Sequence, residues 1–330
     1  MTAMLRHAAR LLGFATVALA LVVASLAGLA QAEPVKFRVG CGLAAEDQLW
    51  LLLVRPDLAP HHGKSYTTEF TRFPGADKRF QAFEAGALDV AAVSANGVLF
   101  AAGEGVELKI IASLTRESPR GFFTQFLVRD DSPIKTIKDL KGKTLGINGF
   151  SGSGHLWTKA ALEQAGIAED EVTLVPLPFP AQGEALKAGK IDVGMFPQPF
   201  YAMAEKAGGT RTIFTSKTGM PYEEELIVLI AKPEFLEKNR AAVMDFLSDL
   251  VVVTKYYVEH QREAKTALID AKMVRLDPDI YIGMKEYYRD PGVRIDPQAL
   301  ERMQDGQVRA GFQKNRADLS KYIDLSYLPK

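Results

Sequence analysis

Between residues 149 and 155 the chain reads Gly149-Phe150-Ser151-Gly152-Ser153-Gly154-His155, two hydroxyls interleaved with three glycines just before a helical stretch. Backbone N–H groups at a helix start carry partial positive charge, and serine hydroxyls add donors, so this loop can surround an anionic group. A plain capped helix start, with Ser151 or Ser153 as the cap and glycine serving the turn, satisfies the same letters. Ser94 and Asn96 make a second, sparser polar pair, and His155 is either a ligand donor or a first-turn residue. Glu46 and Asp47 stand together at another expected helix start, where they oppose a simple inorganic anion or only complement the helix dipole. Arg72 and Arg116, at or near strand ends, carry the planar fork that pairs a carboxylate or sulfonate through two hydrogen bonds, although a surface role fits them equally. Phe150 and Phe200, both in loops, supply flat apolar surface. The set suits an organic anion or zwitterion with a hydrophobic body.

Positioning such loops requires a sheet. Apolar strands alternate with helices along the chain as in a parallel α/β fold: strands at 35–39, 66–70, 89–93 and 108–114, with helices from about 46, at 77–84 and from 97. A second series follows, with strands at 143–147, 172–177 and 192–196 and helices at 155–165 and 182–187. In open parallel sheets ligands bind beyond the carboxyl ends of the strands, which selects the loops at 42–47, 71–75, 94–97, 148–155 and 196–201.

The two series are related in their letters. Lys36, Gly42, Leu49 and Trp50 recur as Lys143, Gly149, Leu156 and Trp157, each pair 107 positions apart. Ala85-Gly86-Ala87-Leu88-Asp89-Val90 recurs as Ala188-Gly189-Lys190-Ile191-Asp192-Val193, 103 positions on. Two lobes of similar architecture are expected. After a strand at 225–231, Pro233 opens a long helix, and Asp277-Pro278 and Asp296-Pro297 each read as an N-cap followed by proline in the first turn. This helical tail needs an apolar surface, and the first lobe is nearest. The expected division is residues 33–115 as the first part of lobe one, 116–224 as lobe two, and 225–330 as the return of lobe one, with two strands as hinge.

Composition narrows the class. The 330 residues are 47% hydrophobic and 24% charged, which excludes disorder, collagen and coiled coil for the whole chain. Forty basic residues balance forty acidic ones, so the electrostatic footprint of a nucleic-acid binder is missing. Arg6, His7 and Arg10 precede an uncharged run from Leu11 to Ala30 that closes on Ala30-Gln31-Ala32, the layout of a secretory signal cut after Ala32; an uncleaved anchor helix is the alternative. Cutting there leaves 298 residues with 38 basic and 40 acidic groups. Cys41 is the only cysteine, so no intramolecular disulfide forms and a buried, inert thiol is expected.

Other motifs lead elsewhere and are set aside. Gly40-Cys41-Gly42-Leu43-Ala44-Ala45 fits a dinucleotide fingerprint with Glu69 on the next strand, but export removes the chain from the nicotinamide pool. Gly149-Phe150-Ser151-Gly152-Ser153 narrowly misses a nucleophile elbow, and no metal-binding spacing of His or Cys occurs, so neither enzyme chemistry, nor a metal, nor a cofactor is expected.

The segments FEAGALDVAAVSANG, DLKGKTLGINGFSGSGHLWTKAALEQAGI, LKAGKIDVGMFPQPF and YIDLSYL resemble the periplasmic solute-binding proteins of sulfonate, taurine and nitrate ABC importers, also described as NMT1/THI5-like. The resemblance covers nearly the whole exported chain. It implies an α/β type II periplasmic-binding-protein fold of two lobes joined by two hinge strands, with the C-terminal helices on lobe one. It implies a periplasmic, monomeric protein that captures a small-molecule solute and delivers it to a membrane permease with a cytoplasmic ATPase, without nucleic acid. The loops that commonly touch ligand in this family correspond here to Ser94–Gly97 and Ser151–His155, including Gly152, with Gln198 and Phe200 in the matching later loop. A pyrimidine-synthesising enzyme of the same family and a ligand sensor docking on a receptor are the rivals.

Overall fold

The chain builds two sheets in succession and then returns to the first. The first series runs β1 (Val35–Cys41), a 3₁₀ turn at Asp47–Trp50 continuing into α1 (Leu51–Val54), β2 (Tyr66–Arg72), α2 (Ala76–Glu84), β3 (Val90–Ser94), α3 (Ala95–Gly103) and β4 (Lys109–Glu117). The second runs β5 (Gln125–Arg129), β6 (Thr144–Ile147), α4 (Ser153–Gln164), β7 (Thr173–Pro176), α5 (Phe179–Lys187), β8 (Gly194–Phe196), α6 (Phe200–Ala207) and β9 (Thr210–Thr215). Then come β10 (Glu224–Ala231), α7 (Pro233–Lys238), α8 (Arg240–Glu259), α9 (Gln261–Asp270), α10 (Pro278–Gly283) and α11 (Pro297–Arg309). This is a computed structural model, and it describes residues 33–42, 45–73, 76–150 and 152–330. The expected export signal at 1–32, Leu43-Ala44, Pro74-Gly75 and Ser151 lie outside the described residues.

The first sheet has the order β2-β1-β3-β10-β4. Strand β1 pairs in parallel with β2 and β3, whereas β10 is antiparallel to both β3 and β4. In the second half β8-β5-β9 form one ladder with β5 antiparallel to both neighbours, β6 and β7 pair in parallel, and a parallel bridge from Leu145 to Val193 joins the two groups. The resulting order β7-β6-β8-β5-β9 repeats that of the first sheet, with β6 in the place of β1. The letter repeat at 107 positions is thus matched by a repeat of topology. The chain crosses between the sheets twice, from β4 to β5 and from β9 to β10.

Strands β5 and β9 are additions to the elements read from the sequence. The helix expected from Pro233 is two helices, interrupted at Asn239. Both Asp-Pro signals are N-caps: the Asp277 carboxylate accepts from the backbone N–H of Asp279 and Ile280, and that of Asp296 from Gln298, each followed by proline in the first turn.

The returning helices cover the first sheet because their apolar faces have nowhere else to go. On α8, Val243, Phe246, Leu247, Leu250 and Val253 recur at helical spacing and share one core with Phe37, Tyr66 and Leu52. The rings of Phe37 and Tyr66 lie 5.1 and 5.4 Å from that of Phe246. On α11, Leu300 and Met303 join Ala91, Val98 and Ile230 on the other face. Strand β3 is covered on both faces and is correspondingly apolar. Cys41 is buried and unpaired, and burial raises its pKa, so it is a packing residue. Among the described residues no helix is long and apolar enough to cross a membrane, and no group of His, Cys, Asp and Glu could hold a metal ion.

Candidate functional site

A cavity of about 140 Å³ opens beyond the carboxyl ends of β1 and β2. Three pieces of chain enclose it: Gly42 and residues 45–50 with Arg72, the Gln198–Phe200 loop after β8, and the stretch 273–289 around α10. Its walls are apolar and aromatic, with Trp50, Phe200, Met284 and Tyr287 among them, and polar groups are set into them at a few points.

Two adjacent carboxylates form one side. Glu46 is 2% exposed; its carboxylate accepts from the backbone N–H of Gly42 and from Arg79 Nη1 at 3.2 Å. A Cβ on Gly42 would stand 2.5 Å from Glu46 Oε1 and 2.8 Å from Arg79 Nη1, so this seat needs glycine. Burial pushes the Glu46 pKa up to about 7 despite Arg79. Asp47, which takes part in no salt bridge among the described residues, is raised to about 6 by burial and by the Glu286 charge, against the pull of Arg289.

Behind the opposite wall lies a buried ion cluster. Lys265 is fully buried, with Nζ 2.6 Å from Glu286 Oε1, and Arg289 Nη1 donates to Glu286 Oε2. Burial alone would raise the Glu286 pKa, but Arg289 and Lys265 together hold it below the ordinary carboxylate value. Arg289 Nε also donates to Gln48 Oε1 at 3.0 Å, and its guanidinium lies 4.4 Å from the centre of the Tyr257 ring. At the mouth, the Arg72 guanidinium lies 4.3 Å from the centre of the Trp50 indole and donates to the Met273 carbonyl at 2.7 Å, and Arg275 is exposed beside it.

The structure distributes the sequence-predicted residues over three places. Glu46, Asp47, Arg72, Gln198 and Phe200 line the cavity. Gln198 is committed to its framework: Oε1 accepts from Ala202 N–H and Nε2 donates to the Lys285 carbonyl, each at 3.2 Å. Ser94, Asn96 and Ser153 meet elsewhere, where the two halves touch: Ser153 Oγ accepts from Asn96 Nδ2 at 3.0 Å and lies 2.9 Å from Ser94 Oγ. Ser153 is the first residue of α4 and not its cap; Gly152 holds the cap position, and no side chain caps the helix.

Phe150 and His155 stand in a third place and not beside Phe200. Phe150 is 56% exposed in a shallow depression with Lys159 and Leu174. His155 Nε2 is 3.1 Å from Glu169 Oε1, and its ring packs 4.4 Å from that of Phe312. Arg116 does not line the cavity. Its Nε donates to Glu225 Oε1 at 2.9 Å, its Nη1 to Glu223 Oε1 at 3.1 Å and its Nη2 to the Arg294 carbonyl at 2.6 Å. Sequence reasoning missed Trp50, Arg79, Tyr281, Glu286, Tyr287 and Arg289. The run Tyr287-Tyr288-Arg289-Asp290-Pro291-Gly292, aromatic and charged before a turn, was the available signal.

The NMT1/THI5-like family model matches residues 73–264, more than half of the chain. The chain belongs to the NMT1/THI5-like family. This member is 27% identical over 207 residues to a candidate aliphatic sulfonates-binding protein of Escherichia coli (strain K12), a match spanning 62% of this chain and 61% of that protein. The crystal structure of the periplasmic aliphatic sulphonate binding protein SsuA from Escherichia coli superposes with a TM-score of 0.68 at 18% identity, covering 88% of this chain and 92% of that one. The desulfurization enzyme DSZB does so with a TM-score of 0.64 at 14% identity, covering 89% and 97%. The NMT1/THI5-like chain therefore has the type II periplasmic-binding-protein fold, two α/β lobes joined by two crossings with the C-terminal helices on the first.

Proposed function

We propose that the protein is the periplasmic solute-binding component of an ABC importer and captures a small organic anion or zwitterion in the cavity at Glu46, Asp47 and Arg72. The observation that carries this reading is the cavity itself, whose walls come from the first sheet, the β8 loop of the second half, and the returning chain. A solute held by all three favours the closed arrangement by its differential affinity, and the closed face is what a permease with its ATPase would read. In this reading residues 1–32 are a signal cut after Ala32. Lobe one comprises 33–115 and 225–330, lobe two 116–224, and the protein acts as a monomer without cofactor.

An enzymatic role is the rival, because the desulfurization enzyme shares the fold. The cavity favours binding: carboxylates, guanidiniums and aromatic rings fix a solute without activating a nucleophile. Thermal unfolding against sulfonates, taurine, nitrate, aromatic and aliphatic carboxylates and thiamine pyrimidine precursors tests both. A solute at 100 times its dissociation constant stabilises by about 2.7 kcal/mol, a shift of a few degrees at this size. The binding role predicts one responsive class recovered chemically unchanged by mass spectrometry. A responsive compound returned as product sinks it.

A further inference from the structure

The polar groups around the cavity are unequally supplied with partners. Of the Glu46 carboxylate, one oxygen takes the Gly42 N–H and Arg79, while Oε2 is buried with no hydrogen-bond partner. Asp47, the next residue, lines the same cavity and enters no salt bridge among the described residues. Arg289, 3% exposed on the cavity wall, likewise keeps a buried Nη2 with no partner. Buried acceptors and donors left unmet are costly and uncommon in folded proteins, so a wall that keeps both kinds is short of a molecule bringing a donor and an acceptor together. The charges point the same way: the carboxylates sit on the inner turn, and Arg72 and Arg275 stand at the mouth with no carboxylate paired to either among the described residues.

We infer that the cavity selects a solute by a nitrogen-bearing end, an amine or other N–H group seated against Asp47 and Glu46, with the anionic end of the same molecule toward Arg72. The inference rests on the cavity being the solute site. Arg79 and Gly42 are positioning residues, because they engage one oxygen of Glu46 and leave the second unmet. The raised pKa values of both acids agree: burial outweighs Arg79 at Glu46 and Arg289 at Asp47, so the positive charge already present leaves room for that of a protonated amine. A plain alkyl sulfonate, a simple carboxylate or nitrate would leave those acids unmet and meet their repulsion.

Calorimetry on the purified protein with matched pairs tests this: taurine against ethanesulfonate, β-alanine against propionate, 4-aminobenzoate against benzoate. In at least one pair the nitrogenous member is expected to bind at least tenfold tighter, and Asp47→Asn, which keeps size and removes charge, is expected to reduce that preference to under threefold. Equal or reversed affinity within the pairs overturns the inference and leaves the binding role standing. If none of the six binds, the solute released by denaturing the purified protein decides. A nitrogen-bearing acid supports the inference, a nitrogen-free solute overturns it alone, and no solute, together with no response in the wider panel, overturns both.

Discussion

Two regions bury carboxylates in nearly the same way and use them differently. At the crossings between the sheets Glu117, Glu224 and Glu225 are all but fully buried, as Glu46 is at the cavity. Burial pushes Glu117 and Glu225 up to about 7, the value reached by Glu46, and raises Glu224 as well. The difference lies in supply. Glu117 accepts from Thr124 N–H, Thr124 Oγ1 at 2.6 Å and Ser216 Oγ at 2.7 Å. Glu224 accepts from Trp157 Nε1 at 3.1 Å and from Lys217; Glu225 accepts from Ser113, Arg116 and the Asp296 N–H. Every crossing carboxylate is met by groups of this chain, whereas the cavity acids are left short. The twin tryptophans of the repeat divide in the same way, since Trp157 serves Glu224 and Trp50 forms cavity wall beneath Arg72. A buried acid fully met by its own chain is architecture; one left short is an address for something else.

The sharpest break of that contrast is to remove one member from each region. Glu225→Ala leaves Arg116 Nε, Ser113 Oγ and the Asp296 N–H without their acceptor, although Arg116 keeps Glu223, a loss of about 3 kcal/mol in urea unfolding. Asp47→Asn breaks no salt bridge among the described residues and keeps an acceptor oxygen, so its unfolding free energy should stay within about 1 kcal/mol of the parent protein. Equal losses would erase the distinction. The two regions should also respond to pH with opposite sign. For Glu117 and Glu225 the folded pKa lies above the ordinary carboxylate value, so their contribution to stability is full below about pH 4.5 and is lost as pH rises through about 7. Amine capture instead requires ionised Asp47, while Glu46 can accept from an N–H group through its free oxygen in either form. Among the facing groups Glu286 opposes ionisation of Asp47, and Arg289 and Lys265 assist it. With Asp47 at about 6, only about one molecule in ten is ionised there at pH 5, and affinity for an amine solute should fall about tenfold between pH 8 and 5. Affinity that is flat with pH in calorimetry would separate Asp47 from capture.

The parts of this molecule that are written locally were readable. The alternation of β1, the Asp-Pro caps and the 107-residue repeat depend on neighbours in sequence, and the strand order carries the same repeat. Strands β5 and β9 escaped because each acquires its role by pairing across the crossings: β5 is five residues preceded by Phe122-Phe123, and its antiparallel sense follows from where the chain enters the second sheet. The cavity was half legible for a related reason. Glu46, Asp47 and Arg72 follow β1 and β2, where the rule of strand ends applies, but Glu286, Tyr287 and Arg289 arrive from more than 200 residues later because the returning helices fold over the first sheet. Phe150 shows the converse limit. It belongs to the loop with the most suggestive letters, yet it lines a depression with Lys159 and Leu174 away from the cavity.

The smallest effect belongs to the seam where the halves touch, and it tests whether that seam belongs to the architecture or to capture. Ser153 Oγ, at the start of α4, is bonded to Ser94 and Asn96 beyond β3, and Asn96 in turn is held through its Oδ1 and carbonyl by Gln307 Nε2 of α11 at 2.9 and 2.8 Å. These bonds join two halves whose main cores are distinct clusters that share Tyr222, so losing the Ser153 hydroxyl should cost the closed arrangement and spare each core. Two neutral hydrogen bonds contribute about 1 kcal/mol each. Ser153→Ala should therefore leave urea unfolding within about 1 kcal/mol, enlarge the radius of gyration of the unliganded protein in solution scattering, and weaken solute binding about five- to tenfold by the shift in population. Unchanged scattering together with unchanged affinity would mean that the seam contributes nothing to closure. Weakened binding with unchanged scattering would instead make Ser153 a direct contact of the solute, moving it from the architectural side of the comparison to the side of the cavity acids.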